Sequence, residues 1–165
     1  MAAAQDLRQR GNHEFSEGNF PNAVSLYTAA MEQATVDDKI LNLCNRSACY
    51  FQMEEYEQSL GDAKAAWELS GRMSVKAGYR VAKTASRLQD FDTAKKTIER
   101  ALKVLEDREL VIHHHPEKER AVPDRRRKDE NKEEKMDAPK DDTAQQRKSL
   151  QDLYQQVLEA AALPT

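Results

Sequence analysis

Residues 11–30 read GNHEFSEGNFPNAVSLYTAA, and the same skeleton returns at 47–66 (SACYFQMEEYEQSLGDAKAA) and at 82–101 (AKTASRLQDFDTAKKTIERA). Each stretch opens on a small residue (Gly11, Ser47, Ala82) and reaches an aromatic one nine positions later (Phe20, Tyr56, Phe91). Steps of 3, 4 and 3 then lead to Ala23, Tyr27 and Ala30, to Ser59, Ala63 and Ala66, and to Ala94, Ile98 and Ala101. Steps of three and four keep side chains on one face of a helix. The copies start 36 and 35 residues apart, which is the signature of a stacked repeat.

Small residues at Gly11, Ser47 and Ala82 belong where two helices cross closely, since larger side chains would push the backbones apart. The aromatics begin the second helix of each unit, and Ala23, Ser59 and Ala94 let it pack on the first. Turn signals fall between: Glu17-Gly18-Asn19 with Pro21 in an allowed first-turn position, Met53-Glu54-Glu55, and Leu88-Gln89-Asp90. Asp37 or Asp38 is expected to cap the third helix, and Ser74 the fifth. The sixth helix is expected to run on through Glu109-Leu110-Val111-Ile112.

Composition agrees with helices. Gly and Pro number only five each in 165 residues, too few for a turn-rich sandwich or barrel. Charged residues make up 33%, but 19 of the 27 residues from Pro116 to Asp142 are charged, and the remainder has an ordinary globular share. Three prolines and mixed charge read that stretch as a solvated linker, with residues 113–142 joining a repeat domain at 1–112 to a last segment at 143–163. Within the domain the units run from about 4–37, 40–73 and 75–108. The final segment places Leu150, Leu153, Tyr154, Val157, Leu158 and Ala161 on one helical face. That amphipathic C-terminal helix either docks on the exposed flank Ile98, Leu102 and Leu105 as the cap a stack needs, or is offered to another protein through Leu150–Leu163. The fold class is therefore all-α.

Several functions are excluded early. A net charge of −3 gives no electrostatic footprint for nucleic acid, and no apolar run approaches a membrane span. Cys44 and Cys49 are too few for a disulfide framework or a zinc site and read as small buried apolar residues. His113, His114 and His115 cannot all face one ion from a frayed helix end, so no metal is assigned. No phosphate loop, dinucleotide fingerprint or nucleophile elbow is present, and no cofactor is implied. An enzyme such as an isomerase or ligase lacks a second domain and any acid, base and nucleophile in register. The cysteine usage fits a reducing cytoplasmic or nuclear compartment.

The repeat register turns Arg8 and Asn12, then Asn45, then Lys76 and Arg80 toward one groove, lined by the first helix of each unit. Two Asn amides and three cations suit an anionic partner with more than one carboxylate. Taken singly, Asn45-Arg46 also reads as an interhelix hydrogen-bonding pair, and Lys76 with Arg80 as a solvated face. Tyr27, Tyr50, Tyr56 and Trp67 are read as packing residues.

The units resemble the tetratricopeptide repeat, with short additions between copies. Leu-x-x-x-Gly-Asn at Leu7–Asn12, Asn-Arg-Ser-Ala-x-Tyr at Asn45–Tyr50 and Lys-x-x-x-Arg at Lys76–Arg80 resemble the dicarboxylate-clamp repeats of co-chaperones such as Hop, CHIP, the large immunophilins and the UNC myosin chaperones. The resemblance covers about residues 4–105 and implies three helix-turn-helix units in a right-handed superhelix. It also implies a non-catalytic adaptor that binds the C-terminal Glu-Glu-Val-Asp of the seventy- and ninety-kilodalton heat-shock chaperones. By that resemblance Arg8, Asn12 and Asn45 hold the terminal main-chain carboxylate, Lys76 the side-chain carboxylate of the last Asp, and Arg80 the upstream peptide. The family usually carries Lys where this chain has Arg8. The alternative is a general interaction scaffold whose groove takes another acidic peptide, with the C-terminal helix as a second partner site.

Overall fold

The structure, a computed structural model, describes residues 2–32, 34–114 and 143–162. Among the described residues there are seven helices and no strand: α1 (Ala2–Ser16), α2 (Phe20–Met31), α3 (Val36–Gln52), α4 (Tyr56–Leu69), α5 (Val75–Arg87), α6 (Phe91–His114) and α7 (Thr143–Ala162). Phe20, Tyr56 and Phe91 are the first residues of α2, α4 and α6, as their spacing predicts. Neighbouring helices pack in chain order, and α7 lies against α6 and α5.

The three units share one device at the end of the first helix. The N–H groups of Asn19, Glu55 and Asp90 donate back to the carbonyls of Glu14, Tyr50 and Ala85, at 2.8–2.9 Å. The residue before each donor takes a left-handed backbone: Gly18 (φ 79), Glu54 (φ 61) and Gln89 (φ 60). This is the Schellman closure, which satisfies carbonyls that a helix end leaves without partners.

Helix starts are equally specific. Ser74 caps α5, its hydroxyl accepting from the Ala77 N–H at 3.3 Å, as expected. The expectation of Asp37 or Asp38 as the α3 cap is corrected: Thr35 holds that position, with an extended ψ of 168°. Its hydroxyl oxygen accepts from the Asp38 N–H at 3.2 Å while the hydroxyl donates to the Asp38 carboxylate at 2.8 Å. Asp38 is thus the third-position partner of the Thr35 hydroxyl rather than the cap.

Close crossings occur where small residues were expected. A Cβ on Gly11 would lie 2.7 Å from Cε1 of Tyr27, so only glycine lets α2 lay that ring on α1. Ser47 fills its crossing differently: its hydroxyl donates to the Ser59 carbonyl at 2.8 Å, and the Ser59 hydroxyl donates to the Ser47 carbonyl at 2.9 Å. Thr84 on α5 approaches the Ser59 hydroxyl at 3.1 Å, joining α3, α4 and α5 inside the stack. Such buried hydroxyls are tolerated because each has a partner.

The last helix caps the stack. Leu150, Leu153 and Val157 are buried in one cluster with Ile98 and Leu105, and Leu102 and Tyr154 pack against it. Leu158 is half-buried. Polar contacts fix the placement: the Tyr154 hydroxyl donates to Glu99 at 2.9 Å, and Arg147 pairs with Glu109 at 2.8 Å. The stretch from Pro116 to Asp142, read as a solvated linker, lies outside the described residues, as do His115 and Leu163.

Candidate functional site

All five expected groove residues sit on helices that open a unit, and hydrogen bonds tie three of them together. Asn12 on α1 is reached from two sides: the Tyr27 hydroxyl donates to its Oδ1 at 2.8 Å, and Asn45 Nδ2 donates to the same oxygen at 3.1 Å. Lys76 on α5 donates through Nζ to Asn45 Oδ1 at 3.1 Å. The relay Tyr27–Asn12–Asn45–Lys76 therefore runs across all three units. With its oxygen engaged twice, Asn12 has a defined amide orientation, and its NH₂ end faces away from Tyr27 and Asn45. Asn45 is 1% exposed, so this relay is built into the wall rather than laid over it.

Arg8 lies one helical turn before Asn12 on α1 and is half-buried. Arg80 lies one turn after Lys76 on α5, also half-buried, and no carboxylate of the described residues is at ion-pair distance from it. Burial lowers its guanidinium pKa from the ordinary value, partly offset by Cys44 and Tyr79. An arginine starts so high that it stays charged at neutral pH, and the shift expresses the cost of holding that charge away from water. Cys44, beside the same cations, has its thiol pushed up chiefly by burial, with Lys76 and Arg80 pulling the other way. Cys49 is pushed up to about 12, again by burial first. Both are buried free thiols, as the sequence reading has them.

Arg46, in contrast, works inside the wall. It makes a bidentate pair with Asp62 at 2.6 and 2.7 Å and donates to the Thr28 hydroxyl at 2.8 Å, clamping α3 to α4 and α2. The interhelix reading thus holds for both residues: Arg46 bonds to α4 and α2, and Asn45 to α1 and α5.

Three features escape the sequence reading. Tyr27, expected to pack, is fully buried and also orients Asn12 through its hydroxyl. Lys83 and Arg87 continue the α5 stripe at the third and seventh positions after Arg80, a spacing legible in the sequence but passed over. The Lys83 ammonium lies 4.8 Å from the centre of the Phe51 ring, and the Arg87 guanidinium 5.9 Å from it. The Lys83 pKa is lowered by burial, then by its like-charged neighbours Arg80 and Arg87. Finally, Asn42 on α3, one turn before Asn45 and 1% exposed, has neither amide atom hydrogen-bonded. Among the described residues no group of His, Cys, Asp and Glu has the geometry of a metal site, and no helix is long and apolar enough to cross a membrane.

No protein-family model matches the chain. The Hsp70-Hsp90 organizing protein of Triticum aestivum is 30% identical over 111 residues, covering 61% of this chain and 19% of its own length. The Hsp70/Hsp90 co-chaperone cns1 of Schizosaccharomyces pombe is 35% identical over 97 residues, covering 58% of this chain and 27% of its own length. The chain therefore spans about a fifth to a quarter of these relatives. Among solved structures, the TPR2B-domain:pHsp70-complex of yeast Sti1 shares the fold at TM-score 0.68 and 18% identity, covering 96% of this chain and 98% of that one. The first TPR of Spaghetti (RPAP3), bound to the HSP90 peptide SRMEEVD, gives TM-score 0.58 and 28% identity, covering 62% of this chain and 81% of that one. The class is thus an all-α stack of three tetratricopeptide units in a right-handed superhelix, followed by a C-terminal helix. The relatives it resembles include an Hsp70-Hsp90 organizing protein and an Hsp70/Hsp90 co-chaperone, and its structural neighbours include TPR domains.

Proposed function

We propose that this protein is a non-catalytic co-chaperone or adaptor that captures the C-terminal Glu-Glu-Val-Asp tails of the seventy- and ninety-kilodalton heat-shock chaperones, in the cytoplasm, through a carboxylate clamp. In this reading Arg8, Asn12 and Asn45 hold the terminal main-chain carboxylate. Lys76 meets the side-chain carboxylate of the last Asp, and Arg80 steadies the residues before it.

The observation that carries the reading is the relay from Tyr27 through Asn12 and Asn45 to Lys76. Donors held in place before a ligand arrives lose less freedom on binding, which favours a short anionic peptide. The names of the relatives, an Hsp70-Hsp90 organizing protein and an Hsp70/Hsp90 co-chaperone, and a structural neighbour bound to a peptide ending in EEVD support the same choice. Charge-assisted hydrogen bonds contribute roughly 1.5–3 kcal/mol each, so a short, mostly solvated peptide should bind at about −8 kcal/mol, a micromolar dissociation constant.

Calorimetric titration with peptides ending in Glu-Glu-Val-Asp tests the reading. Lys76→Ala or Arg80→Ala should weaken binding by about tenfold or more, a loss of about 1.4 kcal/mol. Arg8→Lys should keep or improve it, and rising salt should weaken it because the groove is open to water. Unchanged affinity in both alanine variants, or equal binding of a peptide with an amidated terminus, overturns the clamp and leaves a general scaffold for acidic segments.

A further inference from the structure

Between α5 and α7 lies a cleft of about 640 Å³, lined on one side by Tyr79, Lys83 and Arg87 and on the other by Ser149 and Gln156. Its α5 wall begins at Tyr79, beside Arg80 in the chain. Lys76, Arg80, Lys83 and Arg87 fall at steps of four, three and four along α5, so their side chains form one stripe.

This concentration of positive charge is costly as it stands. Lys83 is half-buried beside two cations while Arg87 is exposed, and no carboxylate of the described residues pairs with Lys83 or Arg87. Asp152 on α7 also lines the cleft, but it is exposed and makes no ion pair with them. What holds the two cations together is the Phe51 ring of α3, which both face. Neutral donors complete the lining: the hydroxyls of Ser86 and Ser149 and the amide of Gln156. Like-charged groups held together over an aromatic ring and rimmed by donors make a receptor for an anion.

We propose that this cleft is a second anion subsite, in which Lys83 and Arg87 take a carboxylate or phosphate carried by a side chain upstream of the peptide's terminal residue. The inference rests on the clamp reading, which sets the direction of the peptide. From Lys76 to Lys83 and Arg87 the helix rises about 10–16 Å. An extended peptide advances roughly 3.3 Å per residue, so the anionic side chain falls about three to five residues before the terminal one. Beyond the two glutamates of the tail motif, the positions to vary are the fourth and fifth before the end. The wall formed by α7 gives the tethered helix a part in recognition as well as in capping.

The test compares three peptides ending in Glu-Glu-Val-Asp whose fourth and fifth residues before the terminus are glutamine, glutamate or phosphoserine, each with a free and an amidated end. They are titrated into the full chain and into the double variant Lys83→Gln/Arg87→Gln. With free ends, glutamate should bind at least threefold tighter than glutamine, and phosphoserine tighter still if phosphate is the better fit. The double variant should erase those ratios. Because each ratio is taken within one protein, a variant that is partly unfolded still reports it. Equal binding of the three free-ended peptides by the unaltered chain overturns the subsite and leaves the clamp standing. Ratios that survive in the double variant overturn the subsite too, by moving the preference elsewhere. An amidated phosphoserine peptide that binds as well as the free one, and loses its advantage in the double variant, overturns the clamp and keeps the subsite. No binding by any peptide overturns both.

Discussion

The first helix pair buries Ala23 and Tyr27 with Cys49 of α3, and Phe15, Phe20 and Val24 pack around them. The third pair instead shares with α7 a core that runs from Leu43 and Trp67 through Val81 and Ile98 to Leu150 and Val157. The amino-terminal end is thus held by a small apolar cluster supplemented by the polar relay, and the carboxy-terminal end by a broad continuous core. The candidate groove spans the two: Arg8 and Asn12 stand on the lightly held pair, Lys76 and Arg80 on the heavily held one. Hydrogen bonds from Asn45 to Asn12 and from Lys76 to Asn45 are therefore both part of the candidate site and part of what keeps α1 in register.

The largest expected effect comes from breaking the heavy end. Ending the chain after Ile112 removes Leu150, Leu153 and Val157 from the core and uncovers Ile98 and Leu105. Burying such side chains stabilises by about 1.5–3 kcal/mol each, offset by the entropy of ordering α7 and its connection. Even a net loss of about 2 kcal/mol should lower the melting temperature by roughly 8 °C or more in a domain of this size. Calorimetry on the two chains checks it, and an unchanged melting curve would mean that α7 contributes nothing to the cap.

Next is a matched pair of close crossings, one at each end. A Cβ on Gly11 would sit 2.7 Å from Tyr27 Cε1, and one on Gly78 would sit 2.9 Å from Trp67 Cζ3. Tyr27 is fully buried and Trp67 nearly so, so neither ring can swing away. Gly11→Ala and Gly78→Ala should each cost about 1–3 kcal/mol in urea unfolding. Only Gly11→Ala displaces the ring that orients Asn12, so only it should also weaken peptide binding beyond what unfolding explains. Equal effects on affinity from both would show that the Tyr27 hydroxyl does not position the groove.

Most of the architecture was legible because it rests on local rules: Phe20, Tyr56 and Phe91 start helices where the repeat spacing puts them, and Ser74 caps α5. Asn12, Asn45 and Lys76 were legible as neighbours because the repeat register turns them to one side, where hydrogen bonds join them. Thr35 is not singled out by the sequence because Thr35, Asp37 and Asp38 all offer cap-forming side chains, and only backbone geometry decides among them. Tyr27 was read as packing because one side chain there does two jobs, and spacing reports only the apolar one. Lys83 and Arg87 look like an ordinary solvated face until α7 supplies the opposite wall of a cleft, an arrangement made across a long stretch of chain that periodicity does not encode.

Asn42 separates the site from its support. It is 1% exposed, one turn before Asn45, with neither amide atom hydrogen-bonded. An unsatisfied buried polar side chain costs about 1–3 kcal/mol. Asn42→Val should therefore raise stability by about 1 kcal/mol, measured as a higher urea midpoint, while peptide affinity stays put. Lower affinity without a stability gain would move Asn42 into the groove machinery.

The smallest effects compare the units at one equivalent position. Gly18, Glu54 and Gln89 all close the first helix of their unit with φ between 60° and 79°, and each precedes the same backward hydrogen bond. For a residue with a Cβ that backbone costs roughly 1–2 kcal/mol, while glycine enters it freely but is more disordered when unfolded, by about 0.4–1 kcal/mol. The difference predicts a gain of about 0.5–1 kcal/mol for Glu54→Gly and for Gln89→Gly, and a loss of similar size for Gly18→Ala. Urea midpoints of the three single variants and of the double glycine variant check both sign and additivity. The two stabilising sites are far enough apart in the stack that their effects should sum. If Gln89→Gly stabilised and Glu54→Gly did not, the Glu54 side chain would have to contribute something specific to its turn, and the three units would no longer be equivalent there.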